Sequence, residues 1–513
     1  MILKRHRSLA AGDSFGEDVT LDSLLARLAT TRPDARAVVD PADRPVFTDG
    51  APRRLTWAAL DREVEKLSRA LRSLDLGRDA VIALQMPNTV EQIVSFLAIL
   101  RAGYVVTPIP LAWRQREIGQ AFSRLGVKAV LTTSRSGSMR PGEVLCHAAF
   151  EAFSVRFILA YGRNVPDGVV PIEEQIDEFA SEEFEKLPDR AGKPGQHLAA
   201  ITWDAVAGGF VPVPRAHCDL LAAGLGYILE AGIGGADVIA TTMFGTSLAG
   251  MATGLIASLL SGAPLVLHQP FSSRALAGAL ATEGATHVVL PGALVAGMAR
   301  AGRLPTRPTR TVSAVWRTGE RPSKITIASG GPILTDVITF GEIGLIAARR
   351  EADGRPQPIP HGAVRLQRTT PLGRAMIETK VSNQGRLVLR GAMTPAANLP
   401  AATGAPTLNI DFDGWVDTGL PAALHDGDIR VGSVRNGVVR IGGLAFPRRA
   451  TEDYLGIAAT EAGTEAQFQH DPVFGEAVQT EGGAKLLAST LDMRGASPAL
   501  YPRPESSSRA QVA

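Results

Sequence analysis

The chain has 513 residues, with 53 Lys plus Arg against 51 Asp plus Glu and 45% hydrophobic residues. That length exceeds one hydrophobic core and predicts two to four domains, while the balanced charge excludes a global attraction to nucleic acid or anionic membrane. Cys146 and Cys218 are too few for a disulfide framework or a zinc site, and the basic start over 1–7 has no apolar run behind it, so a cytoplasmic protein without a secretory signal is expected.

In chain order, Thr56 is the expected N-cap of a helix over about 57–74, in which Leu60, Val64, Leu67 and Leu71 recur at the spacing of a buried face. Residues 80–86 read as a buried strand ended by Pro87-Asn88. A second helix carries Val90, Ile93, Val94, Leu97 and Leu100 and stops at Gly103, before a strand at 104–106. Further on, helix is expected at 220–229, strand at 238–240, helix at 248–260, strand at 265–267, helix at 273–283 and strand at 287–290. Strands alternating with helices in this way imply parallel sheets covered on both faces. Between Asp237 and Arg274 there is no charged residue, but Gly245, Gly250, Gly254, Gly262 and Pro264 interrupt the run. A buried strand–helix–strand unit is therefore expected rather than a membrane span. Beyond Arg303 the texture turns β-rich until about 430, and the polar tail from about 495 is expected to be disordered.

The segment 199–217 has the outline of a phosphate-binding loop: a strand-like start, the pair Gly208-Gly209, a turn bounded by Pro212 and Pro214, and a helix beginning near His217. In such loops glycine lets the backbone close on phosphate, hydroxyls donate to it, and Lys or Arg neutralises it. Thr202 and Arg215 are the donors of that kind here, and Asp204 brings a charge of the wrong sign.

Several collinear segments carry a resemblance. They are Leu55-Thr56-Trp57-Ala58-Ala59-Leu60-Asp61, Val81-Ile82-Ala83-Leu84-Gln85-Met86-Pro87-Asn88, Phe96 through Pro108, 255–263, 285–291, Gly414-Trp415-Val416-Asp417-Thr418-Gly419 and Arg440-Ile441-Gly442-Gly443 through Pro447. Together they resemble the adenylate-forming superfamily of acyl- and aryl-CoA synthetases, peptide-synthetase adenylation domains and luciferases. The resemblance implies an α/β fold with two doubly wound subdomains and a distorted β-barrel in a large domain over 1–434. A small truncated α/β domain over 435–495 and a disordered tail over 496–513 would follow. It also implies acyl-adenylate formation from a carboxylic acid and ATP with Mg²⁺, then transfer to a thiol such as CoA or a carrier protein.

Carried over residue by residue, the family's phosphate loop falls on 202–217, leaving Thr202, Arg215 and His217 as remnants without its lysine. Its Tyr-Gly-x-Thr-Glu segment falls on Phe340-Gly341-Glu342-Ile343-Gly344, so the metal-associated Glu becomes Gly344. Glu342 is two residues away, about 6–7 Å if the chain is extended. The ribose-binding Asp falls on Leu420. Asp417 and Thr418 lie nearby, but Asp417 would face the opposite side of a strand. The hinge motif falls on 432–436, with Arg435 and Asn436 at its end, and Lys485 does not match the family's late lysine. Phe244 and Gly245 sit where the family lines its acyl tunnel.

The histidines show no metal-ligand spacing, so no metal site is expected, and the arginines over 300–321 read as a solvated loop face. Two functions stay open. One is an adenylate-forming-like protein that is catalytically impaired or non-catalytic, needs no cofactor, and binds an acyl ligand or a partner protein. The other is an active, divergent acyl-CoA ligase using ATP and Mg²⁺ on a fatty or aromatic acid.

Overall fold

The computed structural model describes residues 16–179, 181–182, 184, 190–269, 272–317, 321–364, 376–432, 435–441, 443–471 and 475–502. Helices form where apolar period and caps coincide. Thr56 Oγ1 accepts from Ala59 N at 3.2 Å and starts helix Trp57–Arg72, which buries Leu60, Val64, Leu67 and Leu71. Helix Val90–Arg101 buries all but its last two residues, which is why its sequence reads apolar on more than one face.

Two sheets organise the large domain. The first runs Val170–Pro171, Phe157–Tyr161, Ala129–Thr133, Val81–Leu84, Val105–Pro108, Leu198–Val206 and Gly209–Ala216, parallel except for the last pair. The second has eight strands, from Leu345–Arg349 at one edge through His287–Pro291, Ile239–Thr241 and Leu265–Leu267 to Arg36–Val39 and Arg54–Thr56. It is parallel at its centre and antiparallel at both edges. The charge-free stretch is the expected strand–helix–strand unit of this sheet. Among the described residues no helix is long and apolar enough to cross a membrane.

A third, six-stranded antiparallel sheet begins at Ile359–Pro360 and ends at Gly362–Ala363. Those two edges are consecutive in the chain, separated only by His361, so the sheet must curl back on itself, as the distorted barrel requires. The C-terminal domain is a four-stranded sheet covered by helices Arg448–Glu461 and Ala484–Met493, with Val439, Phe446, Leu455, Leu487 and Leu491 in its core.

Three local expectations need correction. The prolines of 212–214 do not bound a turn. Strand Gly209–Ala216 pairs back along Leu198–Val206 as a hairpin, with Trp203 opposite Pro212 and Ile201 opposite Pro214. An edge strand tolerates proline because its outward N–H groups have no ladder partner to lose. Phe340–Gly344 is likewise not extended. It is the tip between strands Ile333–Thr339 and Leu345–Arg349, closed by Phe340 N donating to Gly344 O at 2.9 Å. Finally, the disordered tail does not begin at 496, because Ala496 and Leu500 are buried in the C-terminal core. The remainder of that tail, 503–513, lies outside the described residues, as do 433–434 of the hinge segment.

Candidate nucleotide-site remnant

The hairpin decides what reaches the family's nucleotide position. Because strand side chains alternate, one face carries Thr202, Asp204 and Arg215 and the other carries Trp203 and Phe210. The second face packs on Trp113, at ring-centroid distances of 5.9 Å to Trp203 and 4.7 Å to Phe210, and Phe210 meets Phe446 of the C-terminal domain at 6.4 Å. The first face turns its charges toward the tip at Gly341 and Glu342.

There the side chains close a network among themselves. Asp204 Oδ2 accepts from Glu342 N at 2.9 Å and lies 2.8 Å from Arg435 Nη2, an ion pair without hydrogen-bond alignment. Arg435 Nη1 donates to Ala205 O at 3.0 Å. Glu342 Oε2 accepts at 2.7 Å from Leu248 N, the first residue of a helical run capped by Ser247. The carboxylate therefore takes the anion position at a helix N-terminus. Gly341 has φ +61, and a Cβ there would overlap both Arg435 Nη2 and Asp204 Oδ2, so only glycine lets the tip approach the pair this closely.

Burial tunes these groups. It raises the Glu342 carboxyl to about 7, assisted by Asp204 and opposed by the bond from Leu248 and by Arg317 and Arg215. Burial also lowers the Arg215 and Arg317 guanidinium groups. Arg440, which donates to Arg317 O, is drawn down to about 10 by burial and by Arg435. Arg215 Nη1 donates to Met393 O at 2.6 Å, while its Nε and Nη2 and the Thr202 hydroxyl are buried without a hydrogen-bond partner.

The sequence-predicted residues divide accordingly. Thr202, Arg215, Gly341, Glu342 and Arg435 converge, with Phe340 buried in the core behind the tip. Arg435, which the resemblance places in the hinge, is buried. It is the compensation for Asp204, and only Asn436 beside it is exposed. His217 leaves the site: its Nδ1 accepts from Leu21 N at 3.3 Å, and burial pulls it down to about 3. Asp417 pairs with Arg386 at 2.6 Å and Thr418 donates to Leu387 O at 2.8 Å, both within the barrel. Arg317 and Arg440 were missed as site residues. Of the other arginines over 300–321, Arg300, Arg303, Arg307 and Arg310 are exposed, as a solvated face requires, whereas Arg321 turns inward to pair with Asp336. Phe244 is half-buried, and the space beside Gly245, lined by Gln92, Phe96 and Met251, measures about 20 Å³. That is room for about one water.

The family model described as "AMP-binding enzyme" matches residues 25–201, ending inside the first hairpin strand. Across nearly the whole chain the fold matches o-succinylbenzoate CoA synthetase from Bacillus subtilis, with TM-score 0.68, 13% identity, and coverage of 94% of this chain and 93% of that one. Residues 25–201 thus resemble the AMP-binding enzyme family in sequence, and the chain as a whole shares the fold of that synthetase. An adenylation–carrier fusion from Klebsiella oxytoca superposes with TM-score 0.67 at 16% identity, over 97% of this chain and 94% of that one. In sequence, this chain is 30% identical over 181 residues to acetyl-coenzyme A synthetase of Rhodopirellula baltica, covering 34% of this chain and 26% of the synthetase. It is 28% identical over 160 residues to glycine betaine reductase ATRR of Emericella nidulans, covering 31% of this chain and 12% of the reductase. The matched parts are thus a minor share of each relative's length.

ATP and Mg²⁺ are what the family implies, and the residues present do not fit them. A side chain at Gly344 would meet Ile377 and Leu389 at 2.9 and 3.3 Å, so the metal-associated position is enclosed by apolar atoms. Leu420, at the ribose position, is fully buried in the core. Asp204 and Glu342 hold the remaining face with their own charge. Among the described residues, no group of three or more His, Cys, Asp or Glu is arranged to hold a metal ion.

Proposed function

We propose that this protein is a non-adenylating member of its superfamily, whose scaffold now serves to bind another molecule rather than to activate a carboxylic acid. One observation carries the reading: the Asp204–Arg435 pair, closed over Gly341, places a carboxylate and its counter-charge where phosphates would need cationic donors. Phosphate brought against Asp204 and Glu342 would meet two acceptors, and to gain a cation at Arg435 it would have to displace Asp204. Between the two expected roles, a partner protein is favoured over an acyl ligand. The 20 Å³ beside Gly245 is far below the ~300 Å³ at which small-molecule sites begin.

The alternative, an active divergent acyl-CoA ligase, draws support from the buried donors of Arg215 and Arg435 that lack a hydrogen-bond partner and could receive an anion. Carboxylate-dependent exchange of pyrophosphate into ATP separates the two. Across a series of fatty and aromatic acids the proposal expects exchange at the no-enzyme background. Exchange above background that depends on any one acid, and that Arg215→Ala abolishes, establishes the ligase instead.

A further inference from the structure

We propose that a second crevice, remote from the nucleotide position, binds a small organic cation with an amine or guanidinium head. The cavity measures about 610 Å³, inside the ~300–1,000 Å³ range of small-molecule sites. Thr133 and Tyr161 line it from the carboxyl ends of two parallel strands, and Thr89 lines it from the loop after Val81–Leu84. Its opposite wall, Arg44 and residues 48–50, hangs from strand Arg36–Val39 of the other sheet. The first sheet reverses its strand order here. From Val81–Leu84 the chain passes to Val105–Pro108 on one side, then to Ala129–Thr133 on the other. Crevices outside the carboxyl ends of strands at such a reversal are where open α/β sheets take ligands.

The sign of the ligand follows from the charges. Arg44 lies 2.6 Å from Asp40 and 2.9 Å from Glu91 Oε1, and Arg53 lies 3.0 Å from the same Glu91 oxygen and also pairs with Glu63. Three carboxylates therefore share two guanidinium groups. Both arginines use Glu91 Oε1. The other oxygen, Oε2, is buried without a hydrogen-bond partner on a residue only 5% exposed, and the hydroxyl of Thr89, at 1%, is in the same condition.

Thr89 stands at the N-cap of helix Val90–Arg101 but makes no capping bond with its side chain. Val90 N donates instead to Asp40 Oδ1 at 2.7 Å, so the positive end of the helix is already answered and does not call for an anion. Glu173 and Glu174 add negative charge at the mouth against Arg163. Burial, and after it Glu91, pushes Asp40 up, and burial raises Glu173, while, against burial, hydrogen bonds from Ser134 and Arg163 N hold Asp49 below the usual carboxylate range. An unpartnered carboxylate oxygen and an unpartnered hydroxyl on two residues lining one cavity, with carboxylates in excess, suit the N–H donors of a cation rather than carboxylates or phosphates.

The site shares no residue with the Asp204 network, so it stands or falls independently of whether adenylation is lost. Titration calorimetry with agmatine at low ionic strength tests it, with 1,4-butanediol and glutarate as neutral and anionic controls. One saturable agmatine site is expected, with no heat from either control. Glu91→Gln should weaken binding about tenfold or more. Because Glu91 also holds Arg44 and Arg53, the isosteric Thr89→Val provides a second arm, expected to weaken binding about three- to tenfold with the melting temperature unchanged. No saturable agmatine binding at millimolar concentration overturns the proposal. So does binding that ignores both variants but falls with Glu174→Gln, which would be ion pairing at the surface.

Discussion

Two of this molecule's buried arginine–carboxylate clusters differ in closure. At Asp204 the ion pair, the Glu342 carboxylate on Leu248 N and the close approach of Gly341 leave the acidic groups engaged with the protein itself. At Glu91 the same residue types face a 610 Å³ cavity, with one carboxylate oxygen unpaired. Similar chemistry thus serves as internal filling in one place and as a ligand-facing surface in the other. What separates them is whether the backbone closes over the pair, not the identity of the charges.

Breaking the closed cluster should have the largest effect. Arg435→Ala leaves Asp204 buried without its counter-charge and should cost about 3–5 kcal/mol in denaturant unfolding. The double variant Asp204→Ala/Arg435→Ala should recover part of that loss, and equal losses for single and double variants would deny the coupling.

Glu342 makes the cluster pH-sensitive. Its folded value of about 7 lies above the ordinary 4.5, so the folded state binds the proton more tightly. Its stabilising contribution is complete below pH 4.5 and is lost as pH rises through 7, on the order of 3 kcal/mol. Glu342→Gln should flatten that part of the stability profile. His217 acts with the opposite sign. Held down at about 3 against 6.5, it contributes stability above pH 6.5 that is lost as pH falls toward 3, and His217→Gln should remove that acid-side loss.

Gly341→Ala introduces a side chain at φ +61 against the ion pair and should cost about 2 kcal/mol. A neutral result by thermal unfolding would show that the tip can move away from Arg435. The smallest effect is expected at the aromatic seam to the C-terminal domain. Phe210→Ala removes the contacts with Trp113 and Phe446 and should cost about 1 kcal/mol in thermal unfolding.

Much of the fold was legible in the sequence because it rests on local patterns. The stripe of Leu60, Val64, Leu67 and Leu71 with its Thr56 cap, and the alternation of strands and helices over 238–290, specify their elements without long-range information. The hairpin was not legible, because Pro212 and Pro214 signal a turn unless it is known that their strand lies at a sheet edge. At the site, Thr202, Arg215 and Glu342 could be picked from motif positions. Arg435 lies 231 residues from Asp204, and no period or spacing along the chain announces that pairing. Arg317 and Arg440 were hidden for the same reason. Glu91 falls between the apolar positions that mark its helix and carries no signal of its own, and its unpaired oxygen exists only in three dimensions.

The central claim, that the protein's own charges hold the nucleotide position, is tested most directly by the melting temperature with and without millimolar Mg·ATP. A nucleotide at ~100 times its dissociation constant would add about 2.7 kcal/mol, a shift easily seen. No shift is expected for the wild-type protein. A saturable rise in melting temperature with Mg·ATP, abolished by EDTA, would contradict the account.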